Sequence, residues 1–283
     1  MNGILIKNKP EGKTSFDVIR DVRIKYQTKK VGHIGTLDPL AQGVLPILIG
    51  DATKLSEILM EHDKEYVAIL SLGKKTSTGD REGEVIEEDY DIEKREISKE
   101  EISSALNKFL GETDQVPPMY SALKVNGKKL YELARKGLEV ERKPRKINIT
   151  EIELLEYDKE NLEIKYRVVC SKGTYIRVLC EDIANALGTC GFMKSLVRTR
   201  VGNFKLEDED LFLDIEDIDK VLDVNKVTIK DIKHYENGLA VDIEKDANTN
   251  IDINTELAKV YFENKFIGLG KIKDNKVKRF IYC

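Results

Sequence analysis

From Val31 to Leu55 the chain reads VGHIGTLDPLAQGVLPILIGDATKL, with one acid, Asp38, near its middle. Pro39 follows it, and a residue before proline is pushed out of the α region toward extended geometry. Gly32, Gly35 and Gly43 flank the acid, so the backbone can turn tightly and another group can approach closely. After Gly43 comes the apolar run Val44 to Ile49, which reads as a buried strand or core segment. An isolated Asp-Pro in a glycine-rich loop is by default only a turn. A carboxylate on a stiff loop against a core wall is also how a reactive acid is positioned.

Working outward, residues Thr14 to Tyr26 predict a helix, with Val18, Val22 and Tyr26 at helical spacing and Ser15 as the expected N-cap. Gly12-Lys13-Thr14 before it suggests a phosphate loop. That pattern needs a glycine at position 7, where this chain has Lys7. Thr53 to Met60 reads as helical, and Lys64 to Leu72 as a strand buried on both faces. Ser98 to Glu101 forms a capping-box signature for a helix through Ile102, Leu106 and Leu110 that Gly111 ends. Residues 147 to 170 predict two alternating strands. Gly173-Thr174 breaks the second, and a helix follows through Ile176, Leu179, Ile183 and Leu187, with Tyr175 and Arg177 at its first turn. Beyond Leu206 the chain turns acidic, as in a linker or peripheral helix. Short strand-like runs, Val260 to Phe262 and Phe266 to Ile272, then suggest a small β module.

The 283 residues are enough for a main domain and an appendage. No apolar run reaches the length of a membrane span, and the N-terminus lacks the apolar core of a signal peptide. A cytoplasmic protein with no membrane partner is expected. Cys170, Cys180, Cys190 and Cys283 show no C-x-x-C pairing, so neither a zinc site nor another metal or cofactor is expected. The net charge is −4, yet between Lys124 and Lys146 nine Lys or Arg face three Glu. Such a run beside Tyr120 and Tyr131 could follow a phosphate backbone, or be a solvated face.

The stretch GHIGTLDPLAQGVL resembles the catalytic motif of the TruB family, the bacterial tRNA pseudouridine-55 synthases. The resemblance implies that Asp38 is the catalytic nucleophile. It extends to Lys9-Pro10 with Gly12, Thr14 and Ser15, similar to the K-P-x-G-x-T-S motif that packs beside the active site. It also includes Tyr66 in K-E-Y, the family's base-stacking tyrosine, and Thr76 to Asp80, similar to its T-x-T-x-D loop near the RNA. Val116 to Gly137 resembles the insertion that grips the tRNA arm. In Cys170 to Gly188, Arg177 resembles the arginine paired with the catalytic acid. In Ser195 to Gly202, Leu196 matches the apolar residue against the target base. Lys9, His33, Tyr66, Tyr175, Arg177 and Leu196 are thus the implied substrate-binding set around Asp38.

The implied fold is α+β: a pseudouridine synthase fold with a mixed, largely antiparallel central sheet and a C-terminal PUA-like module. The expected division is a catalytic domain over 1–210 with its RNA-gripping insertion near 116–146, a linker over 211–229, and the small module over 230–283. The implied reaction breaks the C1′–N1 bond of a uridine, turns the uracil and joins C5 to C1′. Positive charge develops at the sugar carbon, as in glycoside chemistry, where a carboxylate stabilises or captures it. Attack on C1′, addition to the uracil ring and action as a base are all open to Asp38. The base must also leave its stack. The expected partner is the T-arm stem-loop of tRNA, engaged by a monomer without guide RNA. Two other classes share the scaffold: a non-catalytic RNA-folding protein and a guide-RNA-dependent relative of the dyskerin type.

Overall fold

The computed structural model describes residues 1–125, 127–244, 251–252 and 255–283. Asn126, inside the expected RNA-gripping insertion, and residues 245–250 and 253–254 of the expected C-terminal module lie outside the described residues. Chain order begins with β1 (Gly3–Lys9), α1 (Ser15–Lys25), β2 (Val31–His33), β3 (Gln42–Ile49), α2 (Ser56–Met60) and β4 (Lys64–Leu72). Next come β5 (Lys74–Thr76), β6 (Val85–Glu88), α3 (Lys99–Asn107), β7 (Gly111–Gln115), β8 (Lys124–Val125), β9 (Lys128–Lys129) and α4 (Leu130–Ala134). The core then closes with β10 (Arg145–Asp158), β11 (Glu163–Cys170), α5 (Ile176–Ala186), β12 (Gly191–Val201), β13 (Phe204–Lys205) and β14 (Phe212–Asp214). The last part holds β15 (Asn225–Thr228), α6 (Ile232–Glu236), β16 (Val241–Asp242), β17 (Leu257–Phe262), β18 (Lys265–Lys273) and β19 (Lys276–Tyr282).

The main sheet runs β14-β1-β3-β12-β4-β11-β10-β7, with β2 added to β3 and β13 to β12. The β3–β12 pairing is parallel and every other pairing antiparallel, so the sheet is mixed and largely antiparallel. The class is α+β. Helix α3 packs against β10 and α5 against β12 and β4, so that Ile102, Leu106, Leu179 and Ile183 share one apolar cluster with Ala68, Leu70, Ile147 and Met193 of the sheet. Each such aliphatic side chain taken fully out of water contributes about 1.5–3 kcal/mol.

Local chemistry sets the details. Helix α1 starts one residue earlier than Ser15 suggested. Thr14 is the N-cap, its hydroxyl accepting from the Asp17 N–H while the Asp17 carboxylate accepts from the Thr14 N–H. Ser15 is thereby freed for a contact described below. Strand β4 is buried on one face only. Its even residues are buried and its odd ones half-exposed, because Glu65 on the second face forms an ion pair with Arg167. Thr53 to Met60 divides into a 3-10 turn and α2. Leu110 lies past the end of α3 and is exposed.

Residues 211–229, read as a linker, carry β14, which pairs with β1. The 3-10 turn after it buries Ile215 and Ile218 completely. The two acids between them, Glu216 and Asp217, lie on the outward side of the turn. A second sheet, β15-β17-β18-β19-β16, follows. Glu263 and Asn264, both with positive φ, form the tight turn of its β17–β18 hairpin. Leu257, Leu269 and Ile281 of this sheet share one apolar cluster with Ile4, Val44 and Leu48 of the main sheet. No helix among the described residues is long and apolar enough to cross a membrane.

Candidate active site

Asp38 lies on the loop between β2 and β3. The Ile34 N–H donates to the Pro46 carbonyl, which ties the start of the loop to β3, and the Ala41 N–H donates to the Asp38 carbonyl, which forms a turn over Pro39 and Leu40. Ser15 holds it from the side: its hydroxyl oxygen accepts from the Leu37 N–H at 2.9 Å and donates to the Leu37 carbonyl at 3.1 Å. Lys9 holds it from behind. Its ammonium donates to the carbonyls of Pro10 (3.0 Å), Lys13 (2.6 Å) and Pro39 (3.1 Å), and the side chain is wholly buried. Burial lowers its pKa to about 8, against the opposing pull of Asp38. Lys9 therefore sits under the loop with its donors engaged, away from the open face.

Arg177 enters from the first turn of α5. Its Nε stands 3.0 Å from Asp38 Oδ2 and 3.8 Å from Asp80 Oδ2. Its Nη1 donates to the Thr78 carbonyl at 2.9 Å and its Nη2 to the Tyr120 carbonyl at 2.7 Å. One planar fork thus joins three segments distant in sequence, a geometry that lysine cannot supply. The Arg177 side chain is 6 % exposed and that of Asp38 is 39 % exposed, so the acid is the part of the pair that meets solvent. Asp80 is buried and accepts from the Thr78 hydroxyl and the Glu82 N–H. The Thr76 to Asp80 loop, read as an RNA-side segment, is also the scaffold of this arginine.

Tyr175, the N-cap residue of α5, is half-buried. Its N–H donates to Gln115 Oε1 at 2.8 Å and its carbonyl accepts from Gln115 Nε2 at 3.1 Å, so one amide side chain links the start of α5 to the chain leading into the 116–137 segment. Burial raises the Tyr175 pKa. Tyr66 and Leu196, on β4 and β12, are buried in one apolar cluster with Leu37, Leu40 and Ile176. Burial likewise raises the Tyr66 pKa, and Arg198 opposes the rise. His33 ends β2, leading straight into the loop. Burial and the nearby Arg198 charge lower its pKa, and among the described residues its buried Nδ1 has no hydrogen-bond partner.

Arg198 and Gln115 were not singled out from the sequence, and Asp80 entered there only as the end of the Thr76 to Asp80 loop. Arg198 had a visible signal: it sits two residues after Leu196, in phase with the buried face of a strand. Arg198 is 1 % exposed, with Nε donating to the Val44 carbonyl at 2.8 Å and Nη2 to the Gly35 carbonyl at 3.0 Å. Gly43 is required here, since a Cβ at that position would lie 2.1 Å from the Arg198 carbonyl oxygen.

The arrangement is a partly exposed carboxylate with a buried counter-ion, bordered by two tyrosines and a leucine. It can stabilise developing positive charge beside a planar ring. The family model "TruB family pseudouridylate synthase (N terminal domain)" matches residues 23–176, and "tRNA pseudouridylate synthase B C-terminal domain" matches 177–235. Proteins named tRNA pseudouridine synthase B are similar over almost the whole chain. The one from Clostridium kluyveri is 47 % identical, covering 98 % of this chain and 98 % of its own. That from Clostridium tetani is 45 % identical, covering 96 % of each. Among solved structures, a chain of "Crystal Structure of a Cbf5-Nop10-Gar1 Complex" aligns with a TM-score of 0.64 and 26 % identity, covering 95 % of this chain and 78 % of that one.

Proposed function

The chain belongs to the TruB family of pseudouridylate synthases, and from that premise we propose that it isomerises uridine 55 in the T-arm of tRNA, with Asp38 as nucleophile. It is a tRNA pseudouridine synthase by its kinship with enzymes of that name over nearly their full length. The observation that carries the site assignment is the 3.0 Å pair between Arg177 and Asp38. In this reading the uridine swings out of the loop and its uracil lies against Tyr66, with Leu196, His33 and Tyr175 around it. The Asp38 carboxylate captures the charge that develops as the C1′–N1 bond breaks. The uracil turns while held against the tyrosine, C5 bonds to C1′ as the carboxylate is released, the C5 proton is lost and N1 takes up a proton, so the product is an isomer of the substrate. Atoms and electrons balance without an oxidant or reductant. Lys9 supports this chemistry from beneath the loop. The Lys124 to Lys146 run follows the phosphate backbone of the arm, and the protein works as a monomer in the cytoplasm.

The test is conversion of a tRNA transcript by the purified chain with no guide RNA, read by mass spectrometry after pseudouridine-specific labelling. Asp38→Asn keeps the shape and removes the charge. It should bind the transcript normally while turnover falls by about three orders of magnitude or more. Turnover within about tenfold of wild type removes Asp38 from its role. Binding without conversion by the wild-type protein points to an RNA-folding protein. Conversion only with an added guide points to the dyskerin type.

A further inference from the structure

We infer that Arg198 is a positioning residue that locks the Asp38 loop to the tyrosine on which the target base rests. The inference builds on the function proposed above. Arg198 lies directly opposite Tyr66 in the β12–β4 register, so both side chains stand on the same face of the sheet. A bulge follows at once, between Arg198 and Arg200, and bulges re-aim side chains. The guanidinium then donates to two carbonyls, that of Gly35 in the Asp38 loop and that of Val44 in β3 just after it, on the face of the sheet that it shares with Tyr66. The loop presses closely on it, for a Cβ at Gly35 would lie 3.1 Å from Arg198 Nη1.

The charge of this arginine is unusual. Among the described residues no carboxylate lies within ion-pair distance of it, although it is almost wholly buried. A buried cation satisfied only by neutral acceptors costs stability that an apolar side chain of similar size would not. A residue serving the fold alone would not need that cost. What an apolar replacement could not do is tie the Gly35 and Val44 carbonyls into one rigid frame against the strand position facing Tyr66. The frame sets the distance between the reacting carboxylate and the ring that holds the base. Misplacing a reacting group by about 1 Å can cost about 10²-fold in rate.

The experiment is a double-mutant cycle on single-turnover conversion of the T-arm transcript at saturating RNA, using Arg198→Lys, Tyr66→Phe and their combination. Arg198→Lys should slow the reaction by about 10²-fold while transcript affinity stays within about threefold. Adding Tyr66→Phe to it should cost much less than Tyr66→Phe costs alone, because the shared link is already gone. A rate for Arg198→Lys within about threefold of wild type overturns the inference, as does an equal cost of Tyr66→Phe in both backgrounds. Should Arg198→Lys fail to fold, Tyr66→Phe alone decides. Loss of the hydroxyl should speed hydrogen exchange at the amides of Ile34, Leu37 and Ala41 in the loop, and unchanged exchange there overturns the coupling. If the wild-type protein converts no tRNA, the proposed function fails, whereas the exchange measurement still reports on the link itself.

Discussion

Arg177 and Asp38 form an unequal pair: the arginine is buried and has two carbonyl acceptors and a second carboxylate, Asp80, beside it, whereas the acid is paired once and partly open to solvent. The guanidinium is therefore fixed by the protein and the carboxylate is fixed by the guanidinium. Replacing Arg177 leaves the buried Asp80 without its cation. Arg177→Met should cost about 3–5 kcal/mol of stability, the usual price of breaking a buried pair. Arg177→Lys should retain most of the fold and still lose turnover, since one ammonium cannot serve Asp38 and the Thr78 and Tyr120 carbonyls together. Thermal unfolding and single-turnover rates measured side by side check both. Equal rates for Arg177→Lys and wild type would show that charge alone suffices.

Tyr66 should tolerate loss of its hydroxyl in binding but not loss of its ring. Stacking a base on an aromatic side chain is worth about 1–3 kcal/mol. Tyr66→Phe should hold the transcript with near-normal affinity, and Tyr66→Leu should lose both base placement and rate. If Leu serves as well as Phe, the residue is only core packing.

Lys9 should leave a signature in the pH dependence of stability. Its pKa is about 8 in the fold, below the ordinary 10.5. Between those values the unfolded chain binds more protons than the folded one, so stability rises with pH through that window and is flat below it. The destabilisation from the buried charge is fully present below pH of about 8 and is relieved toward 10.5. Denaturant unfolding from pH 7 to 10, wild type against Lys9→Met, isolates the effect. The stability difference should shift in favour of wild type as pH rises. A constant difference would mean that Lys9 titrates alike in both states.

The basic run should grip RNA without touching the chemistry. Lys128, Arg135 and Lys136 are exposed, and Lys129 and Arg135 lie over the Tyr131 ring at 5.4 and 5.5 Å. Each phosphate contact removed should flatten the dependence of log K on log salt by about 0.9. Neutralising Lys128, Lys129, Arg135 and Lys136 together should weaken binding and reduce that slope, with the single-turnover rate at saturating RNA nearly unchanged. Affinities at several salt concentrations decide it. Parallel plots with equal affinity would identify the run as a solvated face.

Local sequence determined a great deal about this protein. The run from Val31 to Leu55 specified a stiff loop on a core strand, because Pro39 restricts Asp38 and Val44 to Ile49 have nowhere to go but inside. Periodicity placed α1, α3, α5 and the β10–β11 pair, since apolar spacing reports which face is buried, and motif resemblance brought Asp38, Tyr66 and Arg177 into one expectation. Tertiary structure alone decided how those residues are held. That Arg177 is buried and joins Thr78, Asp80 and Tyr120 depends on segments 57 to 99 residues away. Lys9 turning under the loop, Gln115 closing on Tyr175 and Arg198 crossing behind Gly35 depend likewise on strands that meet only in the sheet. Hydrogen bonds between remote segments leave no periodic trace, because a carbonyl acceptor has no residue identity. The acids of 207–219 hid Leu213, Ile215 and Ile218 for a related reason: burial was decided by the open edge of β1, which exists only once the sheet has formed.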